Sequence, residues 1–368
     1  MRSLEVKTPS PMCSVTAANT TTSEAFKHLC EVQTYLDAFE YCKHSSLWKN
    51  STQTFERDRL KESLHLAQAV ADGSYTPAKY KEFDIYERGK KRHIKAPSIK
   101  DRVFCHALCQ DVLLPRILPT LIYDNSASIK GKGISFARKR ILTHLHRYHT
   151  TYGTNVGYVL QTDFSSFFDS IDHELLLKSF FQYVPEPEIQ RLITAVTKSF
   201  SNAEKGLGIG SELSQLAGIL FPAPVDTWCK TVKQCRFYAR YMDDIYVIHP
   251  DKDFLWDVYE DMQRIAEGLK LSFNPKKCHI SRLDRGFCHL KGNYQLLPTG
   301  RVLCSPCRKT LARARKRFKA MANKPVSAET YNTAFNSWYG DILKQFPTVS
   351  RKTMTNFKEV CIHDLLYL

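Results

Sequence analysis

The stretch Phe237-Tyr238-Ala239-Arg240-Tyr241-Met242-Asp243-Asp244-Ile245-Tyr246-Val247-Ile248-His249 reads as two short strands, Phe237–Tyr241 and Ile245–His249, separated by Met242-Asp243-Asp244. The flanks are rich in aromatic and β-branched residues, which suit a pleated, buried surface. Asp is common in turns, so a carboxylate pair at a hairpin tip has a plain explanation. Two adjacent negative charges nevertheless repel in a fold unless a cation uses them. Upstream, the apolar run Val156–Gln161 stops at Thr162-Asp163, about 80 residues before the pair. Carboxylates placed where strands stop can converge in space. Hard divalent ions such as Mg²⁺ take oxygen ligands and keep positions open for substrate phosphates. Two of them roughly 3.5–4 Å apart serve both the attacking and the leaving oxygen in phosphoryl transfer.

Outward from this centre, helical and extended patterns alternate. Between Ser23 and Ala71 apolar residues recur at helical spacing, which predicts two helices with a polar break at Lys43–Thr54. Lys81–Ile94 alternates like a hairpin turning at Arg88-Gly89-Lys90, and Ser98 is placed to cap a following helix. Further helices are expected over Ser135–Tyr148, Asp172–Tyr183, Glu186–Ser199 and Phe254–Gly268, with extended segments at Leu271–Ser272 and Cys278–Ser281. Arg308–Lys319 is dense in Lys and Arg, and helical periodicity returns at Ala328–Gln345. The fold class expected is an α+β body with an all-α appendage.

Composition sets the outer bounds. The chain has 368 residues, 53 Lys+Arg against 37 Asp+Glu, and a net charge of +16. With 43% hydrophobic residues and only 15 Gly and 16 Pro, disordered, collagen-like and low-complexity classes are excluded. The positive excess suits a polyanion. No apolar run is long enough to span a bilayer, and Met1–Lys7 lacks a secretory core, so a cytoplasmic protein without a membrane partner is expected. The 12 cysteines lack framework spacing and read as reduced thiols. Cys304-Ser305-Pro306-Cys307, with Cys278-His279 and Cys288-His289 upstream, invites a zinc reading that a lone pair carries only weakly.

Tyr241-Met242-Asp243-Asp244 resembles the signature box of reverse transcriptases, and other boxes follow in that family's order. Arg92-His93-Ile94-Lys95-Ala96-Pro97 with Lys100-Asp101-Arg102-Val103 resembles the first fingers box of bacterial members, and Lys130-Gly131-Lys132-Gly133 the second. Thr162-Asp163-Phe164-Ser165-Ser166-Phe167-Phe168-Asp169-Ser170-Ile171-Asp172 is similar to the first catalytic box of the palm. Gly208-Ile209-Gly210-Ser211-Glu212-Leu213-Ser214-Gln215 and Leu271-Ser272-Phe273-Asn274-Pro275-Lys276-Lys277 are similar to the boxes on either side of the hairpin. The resemblance covers about residues 30–345.

It implies a right-hand polymerase: a flexible leader over 1–22, N-terminal helices and fingers over 23–155, a palm with an antiparallel sheet packed on helices over 156–300, and a basic helical thumb over 301–368. It further implies an RNA-directed DNA polymerase using two Mg²⁺ ions, dNTPs, an RNA template (a dedicated noncoding RNA) and a DNA product. Asp163, Asp243 and Asp244 would be the catalytic carboxylates, and with the Phe164 carbonyl they would hold the metals. Arg92, Phe168, Ile209, Gly210, Gln215, Lys276 and Lys277 would face the nucleotide. In that set Arg92 meets the triphosphate, Phe168 excludes a ribose 2′-OH, and one of the two lysines acts as general acid. Lys130, Lys132, Arg308, Lys309, Arg313, Arg315, Lys316 and Arg317 would bind nucleic acid, the N-terminal helices would meet structured RNA or an accessory protein, and the partners would include an accessory protein or an oligomer.

The Ile209-Gly210…Ser214-Gln215 form is similar to the enzymes of diversity-generating retroelements and of bacterial defence. Three stretches depart from the usual pattern: Tyr123–Ser128, the prolines at 222 and 224, and Phe287–Tyr294. These departures favour an antiphage defence role. A mutagenic retroelement role and a non-catalytic RNA-binding scaffold stand as alternatives.

Overall fold

The computed structural model describes residues 23–44, 46–87, 90–201, 203–324, 326–346 and 356–358. The leader expected over residues 1–22, the Arg88-Gly89 turn and most of the chain after 346 lie outside them.

The centre is a four-stranded antiparallel sheet in which Phe237–Tyr241, Asp244–His249, Tyr158–Thr162 and His279–Arg282 lie side by side in that order. Its strands are β3 (Tyr158–Thr162), β4 (Phe237–Tyr241), β5 (Asp244–His249) and β6 (His279–Arg282). Side chains alternate between the two faces, and both faces are covered, so β3, β4 and β5 are mostly apolar. Leu160, Tyr238, Ile245 and Val247 enter the large core built with Phe180, Leu216, Leu255 and Met262. Their neighbours Val159, Phe237, Ala239, Tyr246 and Ile248 enter a second core with Ile141, Leu145 and Tyr148 from the helix Ile134–Tyr152.

That second core also takes Phe287, Tyr294, Leu296 and Val302 from a small antiparallel sheet of β7 (Phe287–His289), β8 (Gly292–Leu296) and β9 (Val302–Pro306). The sequence reading does not foresee this sheet. Its strands have three to five residues and carry Cys, His and Gly where a strand signal needs β-branched runs.

A separate hairpin, β1 (Lys81–Glu87) and β2 (Lys90–Ala96), precedes the helix Ile99–Ala107, which Ser98 caps: its hydroxyl accepts from the Asp101 N–H at 3.1 Å. Where two helices are expected at the N-terminus there are four: Glu24–Leu29, Val32–Lys43, Asn50–Arg57 and Arg59–Ala71. The polar break ends sooner than its composition suggests, because Phe55 can bury against Phe39, ring centroids 4.6 Å apart.

At the C-terminal end, helices Arg308–Ala322 and Ala328–Gln345 pack through Ala314, Phe318, Tyr331, Phe335 and Trp338. The second is tied back to the body by Arg138, which hydrogen-bonds Gln345 and stacks over Phe346 at 4.7 Å. Among the described residues no helix is long and apolar enough to cross a membrane.

Candidate active site

The register of the central sheet brings the three aspartates to one end of it. Thr162 of β3 pairs with Ile245 of β5, so Asp163 lies one step further on, along the row of Asp244. Tyr241 pairs with Asp244 across β4 and β5, leaving Met242-Asp243 as a two-residue turn. The turn expected from sequence was one residue longer: Asp244 is already strand. Met242 adopts φ +55°, the sign a primed hairpin turn demands at its first position, where glycine is usual.

The segment after Asp163 is pinned from the other side. Phe164 forms a bridge with Phe273, flanked by Asn274 N–H to Asp163 O at 2.9 Å and Ser165 N–H to Ser272 O at 2.8 Å. With those bonds on its neighbours, the carbonyl of Phe164 turns away from residues 271–275, toward the side of the Asp243-Asp244 hairpin. Its ring stacks on Phe273 at 4.5 Å. Asn274 then closes a tight turn, its side chain accepting from the Lys276 N–H at 3.1 Å. This turn brings the half-exposed Lys277 ammonium to Oδ2 of Asp163, while Lys276 stays on the surface. Of the two lysines left open by the sequence, Lys277 is the one at the carboxylates.

Asp163 is 2% exposed, and its other oxygen, Oδ1, is buried with no hydrogen-bond partner in the protein. Burial, with the charge of Asp243 added, pushes the Asp244 carboxyl up to about 7. An orphaned carboxylate oxygen is free to ligate a hard cation, whose charge would in turn favour the ionised form of the neighbouring Asp244. The residues therefore fit Mg²⁺. Among the described residues no group of three or more His, Cys, Asp or Glu is close enough to hold a metal ion as the side chains stand. The expected shared cage is thus a shared sheet end, with Lys277 supplying the positive charge at Asp163. The zinc reading of Cys304 and Cys307 meets the same finding.

Phe168 is half-buried beside the turn. A Cβ built on Gly218 would lie 3.1 Å from Met242 Sδ and 3.3 Å from Phe168 Cζ, so the helix Glu212–Leu220, the hairpin and this ring meet at one point. Gln215 of that helix is exposed and accepts from Ser128 Oγ at 3.0 Å. Gly210 has φ +123°, which favours glycine, and an added Cβ would lie 3.4 Å from the Lys95 carbonyl. Half-buried Ile209 adjoins it, so this loop rests on the base of β2.

In β2, Lys91, His93 and Lys95 face Asp84 and Glu82 at 2.9–3.4 Å. Lys91 and Lys95 are therefore engaged on the carboxylate-bearing face of the hairpin. Strand alternation puts Arg92 on the opposite face with Ile94, whose Cγ2 would lie 3.8 Å from a Cβ on Gly210.

The second basic loop divides. Lys130 is exposed and lines a cavity of about 660 Å³ with Arg102, His106, Ser211 and Gln215. Lys132 turns inward: its ammonium donates to Tyr123 O at 2.7 Å and Asn125 O at 3.1 Å and sits over the Tyr123 and Phe136 rings. Where Lys130 is exposed, Lys132 is engaged by the chain's own carbonyls and rings. Arg308, Lys309, Arg313, Arg315, Lys316 and Arg317 are all exposed on the helix Arg308–Ala322, which buries Ala314 and Phe318, and the Arg317 guanidinium lies over the Phe318 ring at 4.5 Å.

The sequence reading misses two features. Segment Tyr123–Ser128 forms a parallel bridge to the free edge of β4, with Asp124 held by Arg140 at 2.5 Å, Lys230 at 3.3 Å and His144 at 3.4 Å. Arg240, in the middle of β4, is wholly buried against Asp226. A lone Arg inside a run buried on both faces was the available signal.

Comparison with family models identifies the fold that these elements build. Residues 79–319 match the family described as "Reverse transcriptase (RNA-dependent DNA polymerase)", and the chain belongs to that family. It is an RNA-directed DNA polymerase by family, with a mixed α+β fold. Among curated proteins it is similar to Protein YkfC of Escherichia coli strain K12, 23% identical over 285 residues that cover 65% of this chain and 72% of that protein. Among solved structures it resembles telomerase from Candida albicans, in complex with a fragment of telomeric RNA, at 12% identity and TM-score 0.47, covering 81% of this chain and 61% of that one. Apo telomerase from Candida tropicalis gives 14% and 0.46, covering 78% and 62%. The chain thus spans about three fifths of the length of these telomerase chains.

Proposed function

We propose that the chain synthesises DNA on an RNA template at the Asp163, Asp243 and Asp244 end of the central sheet. The observation that carries this reading is the register that sets Asp163 on the row of Asp244, with a buried oxygen of Asp163 left unmatched. Two Mg²⁺ ions held by these carboxylates and the Phe164 carbonyl would supply the charge neutralisation that phosphoryl transfer needs.

The chain's own residues do the rest. Lys277, whose ammonium stands at Asp163 Oδ2, would serve as proton donor to the leaving pyrophosphate. Arg92 and the Ile209-Gly210 loop meet the triphosphate from the β2 side, a planar guanidinium suiting phosphate oxygens. Phe168, backed by Gly218 and Met242, leaves no room for a ribose 2′-OH. Gln215 and Lys130 line the way in, and the exposed cations of Arg308–Ala322 follow the template–primer backbone.

The fingers, palm and thumb divide near residues 155 and 300. The template is a dedicated noncoding RNA, and the setting a bacterial antiphage defence system. Primer extension on an RNA template with Mg²⁺ tests the reading. The chain incorporates dNTPs in preference to NTPs, and Asp243→Asn does not. Equal extension by Asp243→Asn would remove the site from the reaction, and preference for NTPs would make the enzyme an RNA polymerase. Sequencing the nucleic acid that copurifies with the chain tests the dedicated template.

A further inference from the structure

The Arg240 side chain touches both backbone segments that bracket the Gly218–Met242–Phe168 contact. All five of its guanidinium N–H groups have acceptors. Nε and Nη2 grip the Asp226 carboxylate at 2.6–3.0 Å. Nη1 donates to Met242 O at 3.0 Å and to Gly218 O at 3.0 Å, and Nη2 to Ile219 O at 2.8 Å. Tyr238 OH donates to the same carboxylate at 2.5 Å.

The acceptors are explained by the chain that precedes them. Residue 222 should donate its N–H to Gly218 O in a continuing helix, but it is proline and has none. The helix ends at Leu220, and Gly218 O is left for Arg240. Pro224 then opens the short helix Ala223–Thr227, which returns Asp226 to the guanidinium. The two prolines that depart from the family pattern therefore create the acceptor and deliver the counter-ion. At the hairpin, Met242 holds a positive φ that persists only where surrounding bonds impose it, and Arg240 bonds its carbonyl.

A buried ion pair is weak support for stability, since apolar residues of similar volume often serve as well. An apolar pair cannot donate to three carbonyls on two segments. We propose that Arg240, charge-balanced by Asp226, is a positioning residue that fixes the Met242-Asp243 turn against the Gly218 floor, and that divalent-cation affinity and sugar discrimination both depend on it. This rests on the proposed reading of the three aspartates and deepens it.

Two variants separate positioning from folding. Arg240→Lys keeps the charge that Asp226 needs but has neither five donors nor the planar fork. The double variant Arg240→Met with Asp226→Leu removes both charges. Thermal melting reports folding. Mn²⁺ binding followed by electron paramagnetic resonance reports the carboxylates without requiring turnover, with Asp243→Asn as reference. Both variants should melt cooperatively, bind Mn²⁺ about tenfold more weakly, and, in primer extension, lose several-fold in dNTP-over-NTP preference.

Folded variants with wild-type Mn²⁺ affinity and wild-type preference would overturn the proposal. So would loss of cooperative melting in both, which would make Arg240 a folding requirement only. Weakened Mn²⁺ binding in a chain that extends no primer would uphold the positioning role while sinking the polymerase reading. Mn²⁺ binding that ignores Asp243→Asn would sink both.

Discussion

Asp244 carries a cost that a bound cation would relieve. Burial and the Asp243 charge raise its carboxyl to about 7. A folded-state value above the unfolded one, ~3.9, gives stability that is present below the unfolded value and lost as pH rises through the folded one. In metal chelator the wild type should therefore lose a few kcal/mol between about pH 4 and pH 7. Asp244→Asn should flatten that slope in melts across this range and at the same time abolish primer extension. A variant with an unchanged slope would mean that Asp244 titrates normally. Phe168 makes a second claim at this scale: Phe168→Val opens the space beside Gly218 and should raise ribonucleotide incorporation at least tenfold in single-nucleotide extension. Lys132 shows what a residue type alone cannot convey. A lysine in a Lys-Gly-Lys-Gly loop looks ready for phosphate, yet two backbone carbonyls hold it inward.

At the scale of elements, the hairpin of β4 and β5 was readable because a short aromatic and β-branched run is a local signal. The Arg240–Asp226 pair was not, because it joins a strand to a helix turned back by two prolines. The sheet β7–β9 was likewise unreadable, and it holds a testable group. His289 packs edge-on to Tyr246 at 5.2 Å and lies 3.2 Å from Gln161 Nε2; burial, with His279 adding to it, pushes its imidazole down to about 4. A lowered imidazole keeps its stability above the unfolded value of ~6.5 and loses it as pH falls toward 4, by about 3 kcal/mol. His289→Gln should remove that acid-side loss in urea unfolding at pH 7 and pH 4.5. The basic helix Arg308–Ala322 makes the other prediction. Replacing Lys309, Arg313 and Lys316 by Gln should weaken template–primer binding without changing the melting temperature, and reduce the salt slope by about one for each phosphate no longer neutralised. Binding titrations at several salt concentrations measure it.

For the molecule as a whole, the charge of +16 and the order of the boxes carried the family, because both survive without knowledge of packing. Packing decided what they left open. It set Lys277 rather than Lys276 at Asp163, and it put Lys91, His93 and Lys95 on the face of β2 away from Arg92. The proposed reaction needs aspartates about 80 residues apart to act on one pair of cations. The direct measurement is anomalous scattering from Mn²⁺ in crystals of the chain with an RNA template, a DNA primer and an incoming dNTP. Two peaks are expected in the space shared by Asp163, Asp243 and the Phe164 carbonyl, with the Lys277 ammonium moved off Oδ2. Peaks at any other cluster, or a single peak that leaves Asp163 paired with Lys277, would contradict the proposed reaction.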